Sequence, residues 1–485
     1  MMTGLTRITL AASVALAMAG CATVGQDFSA PVATDAGAFR HQAAGSGADA
    51  AHLPADWWSV FGDSTLNQLE QSALRDNPSV KAAAQRLLQA RAQLGLVSAQ
   101  QSPSLSVSTD ISNGRTSANT SQGIALGRQA ITGNNYEVGA SLSYEVDLMG
   151  RVRRLVEAAD AQAVAAATDR DGVLLMLSSQ VATSYWQLRG LDADHAILIR
   201  ALATRKESAD LIEARYNAGL TNELDLARAR VEYANAQADL HDAQRQRFLL
   251  EHALATLIGA SPTTTLLAAS ATPEVLPAPP SIPVGLPATV LAQRPDLAGS
   301  VATLRAANAQ IGVAEGAFYP SLTLTSNFGF ASQQLSELAK GGSRQFNVGP
   351  LALSLPIFDG GRNRANLVLS KAKYEEALAN HETTLLTALR EVEDALSDVQ
   401  QRQLQGVAEQ QAKAAATRAY QVAEARYERG VSNYLDVTDA QRSALTAERA
   451  SAQIATQQLV AAVAVARALG GGWQPPAPAP ALAQK

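Results

Sequence analysis

The stretch Tyr136-Glu-Val-Gly-Ala-Ser-Leu-Ser-Tyr-Glu-Val-Asp-Leu148, followed by Met149-Gly150-Arg151 and a long proline-free run, decides the fold. Its first part alternates strictly. Tyr136, Val138, Ala140, Leu142, Tyr144, Val146 and Leu148 share one face, and Glu137, Gly139, Ser141, Ser143, Glu145 and Asp147 share the other. A period of two is the signature of a β-strand with unlike faces. Upstream, Leu105, Val107, Thr109 and Ile111 alternate with Ser104, Ser106, Ser108 and Asp110. Downstream, Leu322, Leu324, Phe328 and Phe330 alternate with Thr323, Thr325, Asn327 and Gly329. A fourth strand, Phe346 to Phe358, changes phase at Pro350, which predicts a β-bulge there. Strands of about ten residues with one apolar and one polar face suit an outer-membrane barrel; a half-buried sheet in a soluble domain is the alternative. Four strands cannot close a barrel, and an open edge is forbidden in lipid, so a barrel would be shared between chains. Two chains would nearly fill the interior with side chains, and three or four would leave a pore.

After Arg151 the period changes. No proline lies between Pro103 and Pro262 or between Pro356 and Pro475, and helical patterns run over 151–216 and 362–427. At ~1.5 Å per residue each helix is about 100 Å long. Leu174, Leu177, Val181, Ser184, Leu188, Leu191, His195, Leu198, Leu202, Arg205, Ala209, Ile212 and Tyr216 alternate spacings of three and four, as do Leu385, Leu389, Val392, Leu396 and Val399. That is a heptad seam, which implies coiled-coil packing along the length. Both patterns end at related turns, where Gly219 and Gly430 fit an αL helix end. Thr221/Asn222 and Ser432/Asn433 can cap returning helices over 223–257 and 434–469.

The chain is an internal duplication. Ala92-Gln93-Leu94-Gly95 recurs as Ala309-Gln310-Ile311-Gly312, and Pro103-Ser104-Leu105 as Pro320-Ser321-Leu322, both at an offset of 217. Ala214-Arg215-Tyr216 with Gly219, Leu224 and Asp225 recurs as Ala425-Arg426-Tyr427 with Gly430, Leu435 and Asp436, at 211. Each half is expected to run helix, strand, strand, long helix, helix. The expected organisation is a signal peptide over 1–20, a lipidated segment over 21–62, a first repeat over 63–261, a Pro-rich linker over 262–287, a second repeat over 288–472 and a disordered Pro/Ala tail over 473–485.

Arg7 and the short apolar run Leu10–Met18 make an export leader, too short to span a bilayer. Met18-Ala19-Gly20-Cys21 resembles a bacterial lipobox, with Cys21 as the acylated first residue of the mature chain. Ala22 in second place implies outer-membrane sorting. Cys21 is the single cysteine of 485 residues, which excludes a disulfide framework and a thiolate zinc site. Net charge is −5, so there is no basic footprint for nucleic acid. The chain is 47% hydrophobic but only 5% aromatic, a composition of small aliphatic residues that favours closely packed helices.

Several further stretches carry a family resemblance: Asp56-Trp57-Trp58 with Phe61 and Leu66, Arg294-Pro295-Asp296, Ala306-Ala307-Asn308-Ala309-Gln310-Ile311-Gly312, Phe318-Tyr319-Pro320-Ser321-Leu322 and Asn433-Tyr434-Leu435-Asp436. Over roughly 54–472 the chain resembles the TolC-like outer-membrane efflux family, and within it the NodT-like lipoprotein branch that serves RND-type drug pumps. The resemblance implies an α+β membrane protein: a homotrimer whose chains each lend four strands to one twelve-stranded barrel, with coiled-coil helices forming a tunnel across the periplasm. It implies a passive efflux duct fed by a periplasmic adaptor and an inner-membrane pump, with no cofactor. It also implies a periplasmic gate, at Leu435, Asp436, Asp439 and Arg442, with inter-helix ties at Asp225 and Tyr427. Ser432 departs from family members that carry arginine there. Gly219 and Gly430 match the hairpin tips that meet the adaptor.

Other classes fit less well. The six histidines, His41, His52, His195, His241, His252 and His381, offer no pair at i, i+3 or i+4, so no helical metal site is expected. There is no P-loop and no G-x-G-x-x-G, and an enzyme is not expected. A pore-free periplasmic scaffold would not need lipid-facing strands. The exit duct of a type I protein-secretion system would use the same architecture.

Overall fold

The computed structural model describes residues 23–31, 39–41, 53–125, 127–267, 275–282 and 292–475. The leader, Cys21 and the end of the Pro/Ala tail lie outside the described residues, as do parts of the 262–287 linker. The chain divides into two compact units. The strand unit holds Met1–Pro31, Leu87–Ala166 and Ser300–His381, and the helical unit holds Val32–Arg86, Ala167–Gly299 and Glu382–Lys485.

In the strand unit, β1 (Ser104–Arg115), β2 (Thr132–Val146), β3 (Ser321–Ser332) and β4 (Arg344–Ser354) form one antiparallel sheet in the order β1-β2-β3-β4. Its register collects like residues. Leu105, Val107 and Ile111 stand opposite Leu142, Ala140 and Tyr136. Val138, Ala140, Tyr144 and Val146 stand opposite Phe330, Phe328, Leu324 and Leu322. Phe328, Leu324 and Leu322 stand opposite Phe346, Leu351 and Leu353. The expected bulge is present: the register steps between Leu324 and Ser326, where β3 has one residue and β4 has Gly349 and Pro350. It keeps Leu351 and Leu353 on the face of Phe346 and Val348, since side chains alternate with period two. Polar residues pair on the opposite face, Ser106 with Ser141 at 2.7 Å and Gln345 with Glu137 at 2.7 Å. β4 ends at Ser354, short of the expected Phe358. Pro356 has no N–H to continue a ladder.

The helices longer than ten residues are α1 (Ser64–Asp76), α2 (Pro78–Ser98), α3 (Arg151–Asn217), α4 (Glu223–Leu257), α5 (Pro295–Gly316), α6 (Arg362–Glu428) and α7 (Tyr434–Ala468). The two long ones, α3 and α6, each run 67 residues unbroken. Their expected seam is buried or half-buried throughout, apart from the terminal Tyr216. The first half opens with two helices rather than the single one expected. Asn77 divides them: its carboxamide accepts from Ser79 N at 2.6 Å and donates to the Leu257 carbonyl at 2.8 Å. Pro78 then starts α2, since proline disfavours a helical residue before it and suits the first helical position.

The core of the helical unit is aromatic. Trp57 packs edge-on against Trp58 and Phe61, Phe61 meets Trp186, and Trp186 meets Tyr185, with centroid separations of 5.0–6.4 Å. Trp57 Nε1 donates to Ser178 Oγ at 3.2 Å, and Tyr185 donates to Asp63 Oδ2 at 2.7 Å. Asp63 also caps α1 through the N–H groups of Thr65 and Leu66. Arg294 binds Asp296, Glu391 and the Ala468 carbonyl. Trp473 donates its indole N–H to Asp171 at 2.9 Å.

Candidate functional site

The residues singled out for a gate all fall in the helical unit, at the ends of the two helical hairpins. Each hairpin turn is a Schellman motif. Gly219, at φ +71°, donates to Tyr216 O, and Leu220 N donates to Arg215 O. Gly430, at φ +72°, donates to Tyr427 O, and Val431 N donates to Arg426 O. Positive φ is what glycine supplies at this position. A Cβ on either glycine would meet nothing within 4 Å, so backbone conformation rather than space selects glycine. Asn222 and Asn433 cap the return helices through Asp225 N at 2.9 Å and Asp436 N at 3.0 Å. Leu220, Val431 and Leu224 stand exposed around these turns.

Beneath the turns, Ile212, Leu226, Ala229, Tyr434 and Val437 form a small apolar core with Ala209, Tyr420 and Tyr427 packed on it. Ends of all four helices, α3, α4, α6 and α7, therefore meet here. The Tyr427 ring lies 5.6 Å from that of Tyr434, and the Arg215 guanidinium sits 5.1 Å from its centroid. Burial, helped by the negative charge of nearby Asp225 and Glu232, pushes the Tyr434 hydroxyl up to about 12. Asp225 spends its carboxylate locally, accepting from Thr221 Oγ1 at 3.0 Å and Asn222 Nδ2 at 3.2 Å. Among the described residues no hydrogen bond joins Asp225 to Tyr427.

Asp436 and Asp439 are exposed and Leu435 is half-buried. The two carboxylates lie one turn apart on α7, so they share a side. Asp436 makes no ion pair among the described residues, and Asp439 reaches only Arg442, at 3.5 Å. Arg442 has a stronger partner. Its Nε donates to Glu232 Oε1 at 2.8 Å, and its Nη2 pairs with the same oxygen. That contact holds the guanidinium above its ordinary pKa. Glu232 also meets Arg205 of α3, Nη2 to Oε2 at 3.3 Å. One buried carboxylate on α4 thus ties α3 to α7. Glu232 and Arg205 were not among the expected site residues. A charged arginine at a heptad seam position was the signal, because a buried guanidinium requires a counter-charge. His195, another polar seam residue, meets the Gln244 carboxamide at 3.1 Å.

Beside this tie a cleft of about 820 Å³ is lined by the charged Asp194, Arg205, Asp239, Arg442 and Arg449 together with Leu191, Leu250 and Leu445, among others. Arg449 grips Asp194 through two bonds of 2.7 and 2.9 Å. Among the described residues no cluster of His, Cys, Asp or Glu could hold a metal ion, and no helix is long and apolar enough to cross a membrane.

Known proteins share this chain's sequence and fold. The outer membrane efflux protein family matches residues 69–260 and 286–471. Outer membrane protein OprJ of Pseudomonas aeruginosa is 36% identical over 423 residues, covering 86% of both chains. The antibiotic efflux pump outer membrane protein ArpC of Pseudomonas putida is 32% identical over 464 residues, covering 95% of this chain and 94% of that one. The crystal structure of the CmeC outer membrane channel of Campylobacter jejuni superposes with a TM-score of 0.87 at 28% identity, covering 93% of this chain and 96% of that one. With both halves of the duplication matched, the chain belongs to the outer membrane efflux protein family.

Proposed function

We propose that three copies of this outer-membrane efflux component assemble into a passive duct. It receives small toxic compounds, antibiotics among them, from an inner-membrane pump through a periplasmic adaptor. The observation that carries this reading is the sheet. Among the described residues β1 pairs only with β2 and β4 only with β3, while Leu105, Val107, Ile111, Phe346, Val348, Leu351 and Leu353 stand exposed. Unpaired edges in lipid cost several kcal/mol per unsatisfied group, so β4 of one copy pairs with β1 of the next until the ring closes. Twelve strands leave a lumen that eight would fill.

In this reading, acylated Cys21 anchors each chain in the outer membrane. Asp436 and Asp439 of three chains line the periplasmic mouth, Leu435 narrows it, and Arg442 pins α7 to α4 through Glu232. Asp225 and Tyr427 tie neighbouring helices in the closed mouth. The exposed Leu220, Leu224 and Val431 around Gly219 and Gly430 meet the adaptor. In this reading the duct is passive and energy enters through the pump. The relative ArpC, named for antibiotic efflux, supports the cargo class.

The test is to measure mass in detergent and conductance in planar bilayers for the purified chain. A trimer that conducts ions is expected. A lone monomer without conductance overturns the reading.

A further inference from the structure

The described segment that follows Cys21 is docked on the strand unit. Val24 N donates to the Met149 carbonyl at 3.0 Å, at the end of β2. The Val24 and Gly25 carbonyls accept from Arg154 Nε at 3.1 Å and Nη2 at 3.0 Å. Arg154 Nη2 also pairs with Asp27 at 2.8 Å, and Nη1 with Glu157 at 2.8 Å. Asn308 Nδ2 of α5 donates to the Gln26 carbonyl at 2.9 Å. Gly25, at φ +91°, lies so close to α5 that a Cβ there would stand 2.7 Å from Gly312 Cα.

Arg154 is only 4% exposed. A buried guanidinium needs acceptors for its five N–H groups, and three of the four bonds that Arg154 makes go to this N-terminal segment. Without the segment, Glu157 alone would remain. The duplication supplies an internal control. At offset 211 the counterpart of Arg154 is the exposed Ala365, and at 217 those of Asn308 and Gly312 are Arg91 and Gly95. A Cβ on Gly95 would meet nothing within 4 Å. The seat is therefore built in one copy and left bare in the other.

We propose that Met149, Arg154, Asn308 and Gly312 form a docking seat for the chain's own mature N-terminus, and that Arg154 is the positioning residue that fixes where the lipid anchor leaves the chain. This rests on the reading of Cys21 as acylated. Cys21 stands two residues before Thr23, so the intervening chain spans at most ~7 Å. A seated segment thus limits how far an acylated Cys21 can stray from the end of β2. The acyl anchor and the seat then hold the same segment and act as one unit.

The test uses the full chain in outer membranes. With Cys21 blocked by acylation, Val24→Cys is the only free thiol, and its rate of maleimide labelling reports whether the segment is seated. Arg154→Met removes three bonds to the segment and should raise that rate at least about tenfold, the ratio to which losing even one charge-assisted bond corresponds. Asn308→Ala, which removes a single exposed bond, should raise it less and serves where Arg154→Met is not recovered. An unchanged rate in the recovered variants overturns the seat. Mass spectrometry of the N-terminal peptide reads acylation independently, so loss of that reading is separable from loss of the seat. For coupling, thermal dissociation of the oligomer is compared between acylated protein and protein exported on a cleavable leader with Cys21→Ala, each with and without Arg154→Met. A shift from Arg154→Met that shrinks in the unacylated background is expected. Equal shifts in both backgrounds overturn the claim that seat and anchor act together.

Discussion

Two buried carboxylates show how differently one residue type behaves. Glu232 faces two arginines, Arg205 and Arg442; the Arg205–Glu232 pair has side chains 6% and 4% exposed. Removing one partner of a buried pair leaves an uncompensated charge, at a cost of about 3–5 kcal/mol. Glu232→Ala should therefore loosen α7 from α3 and α4 and raise closed-state conductance in planar bilayers, whereas Asp242→Ala, on the exposed side of α4, should leave it unchanged. Glu70 of α1 has no such partner. It is fully buried, and neither oxygen has a hydrogen-bond partner among the described residues. Burial pushes its carboxyl up to about 9. Because the folded value lies above the ordinary one, the folded chain keeps a proton that the unfolded chain releases. The stabilisation is full below about pH 4.5 and is lost as pH rises through about 9. The slope is at most about 1.4 kcal/mol per pH unit. The thermal midpoint in detergent should fall between pH 5 and pH 8, and Glu70→Gln should flatten the dependence.

At the scale of elements, the long helices were legible almost to the residue, because heptads give the period and Gly219 and Gly430 mark the ends. The bulge was legible too, because an inserted residue changes both the alternation and the repeat offset. The α1/α2 break was missed although Asn77-Pro78 signals it; what the sequence hides is that Asn77 also binds the distant Leu257 carbonyl. Nor was Glu232 legible, since only the packing of α3, α4 and α7 gives one carboxylate two arginines. Deleting Pro350 should turn Leu351 and Leu353 to the polar face and abolish the heat-modifiable oligomer on gels, while Pro350→Val, which keeps the residue count, should retain it. The hairpin turns need a different probe. Substituting Gly219 or Gly430 strains an αL backbone by ~1–2 kcal/mol, so it confounds turn formation with docking. Leu220→Glu with Val431→Glu leaves both glycines and both asparagine caps in place. This pair should abolish adaptor co-purification and drug resistance without changing oligomer size. Unchanged resistance would remove the turns from the adaptor interface.

Across the assembled molecule, charge at the mouth is set by how many copies meet there. Among the described residues Asp436 is exposed and unpaired, and Asp439 has only the 3.5 Å contact to Arg442, itself committed to Glu232. With so little cationic compensation there, three copies would bring six acidic groups to one constriction. A ring of like charges attracts cations and repels anions, as in other acidic filters. The effect decays with the Debye length, about 8 Å at 0.15 M salt and 3 Å at 1 M. The wild-type channel should therefore prefer cations at low salt and lose part of that preference at 1 M. Asp436→Ala with Asp439→Ala should reduce the preference at low salt and raise conductance, because the shorter side chains widen the constriction while Glu232 still holds Arg442. The reversal potential across a salt gradient reads the first effect and single-channel current the second. A double variant with the wild-type reversal potential would show that these carboxylates face away from the lumen, and the gate would then have to be sought on another face of α7.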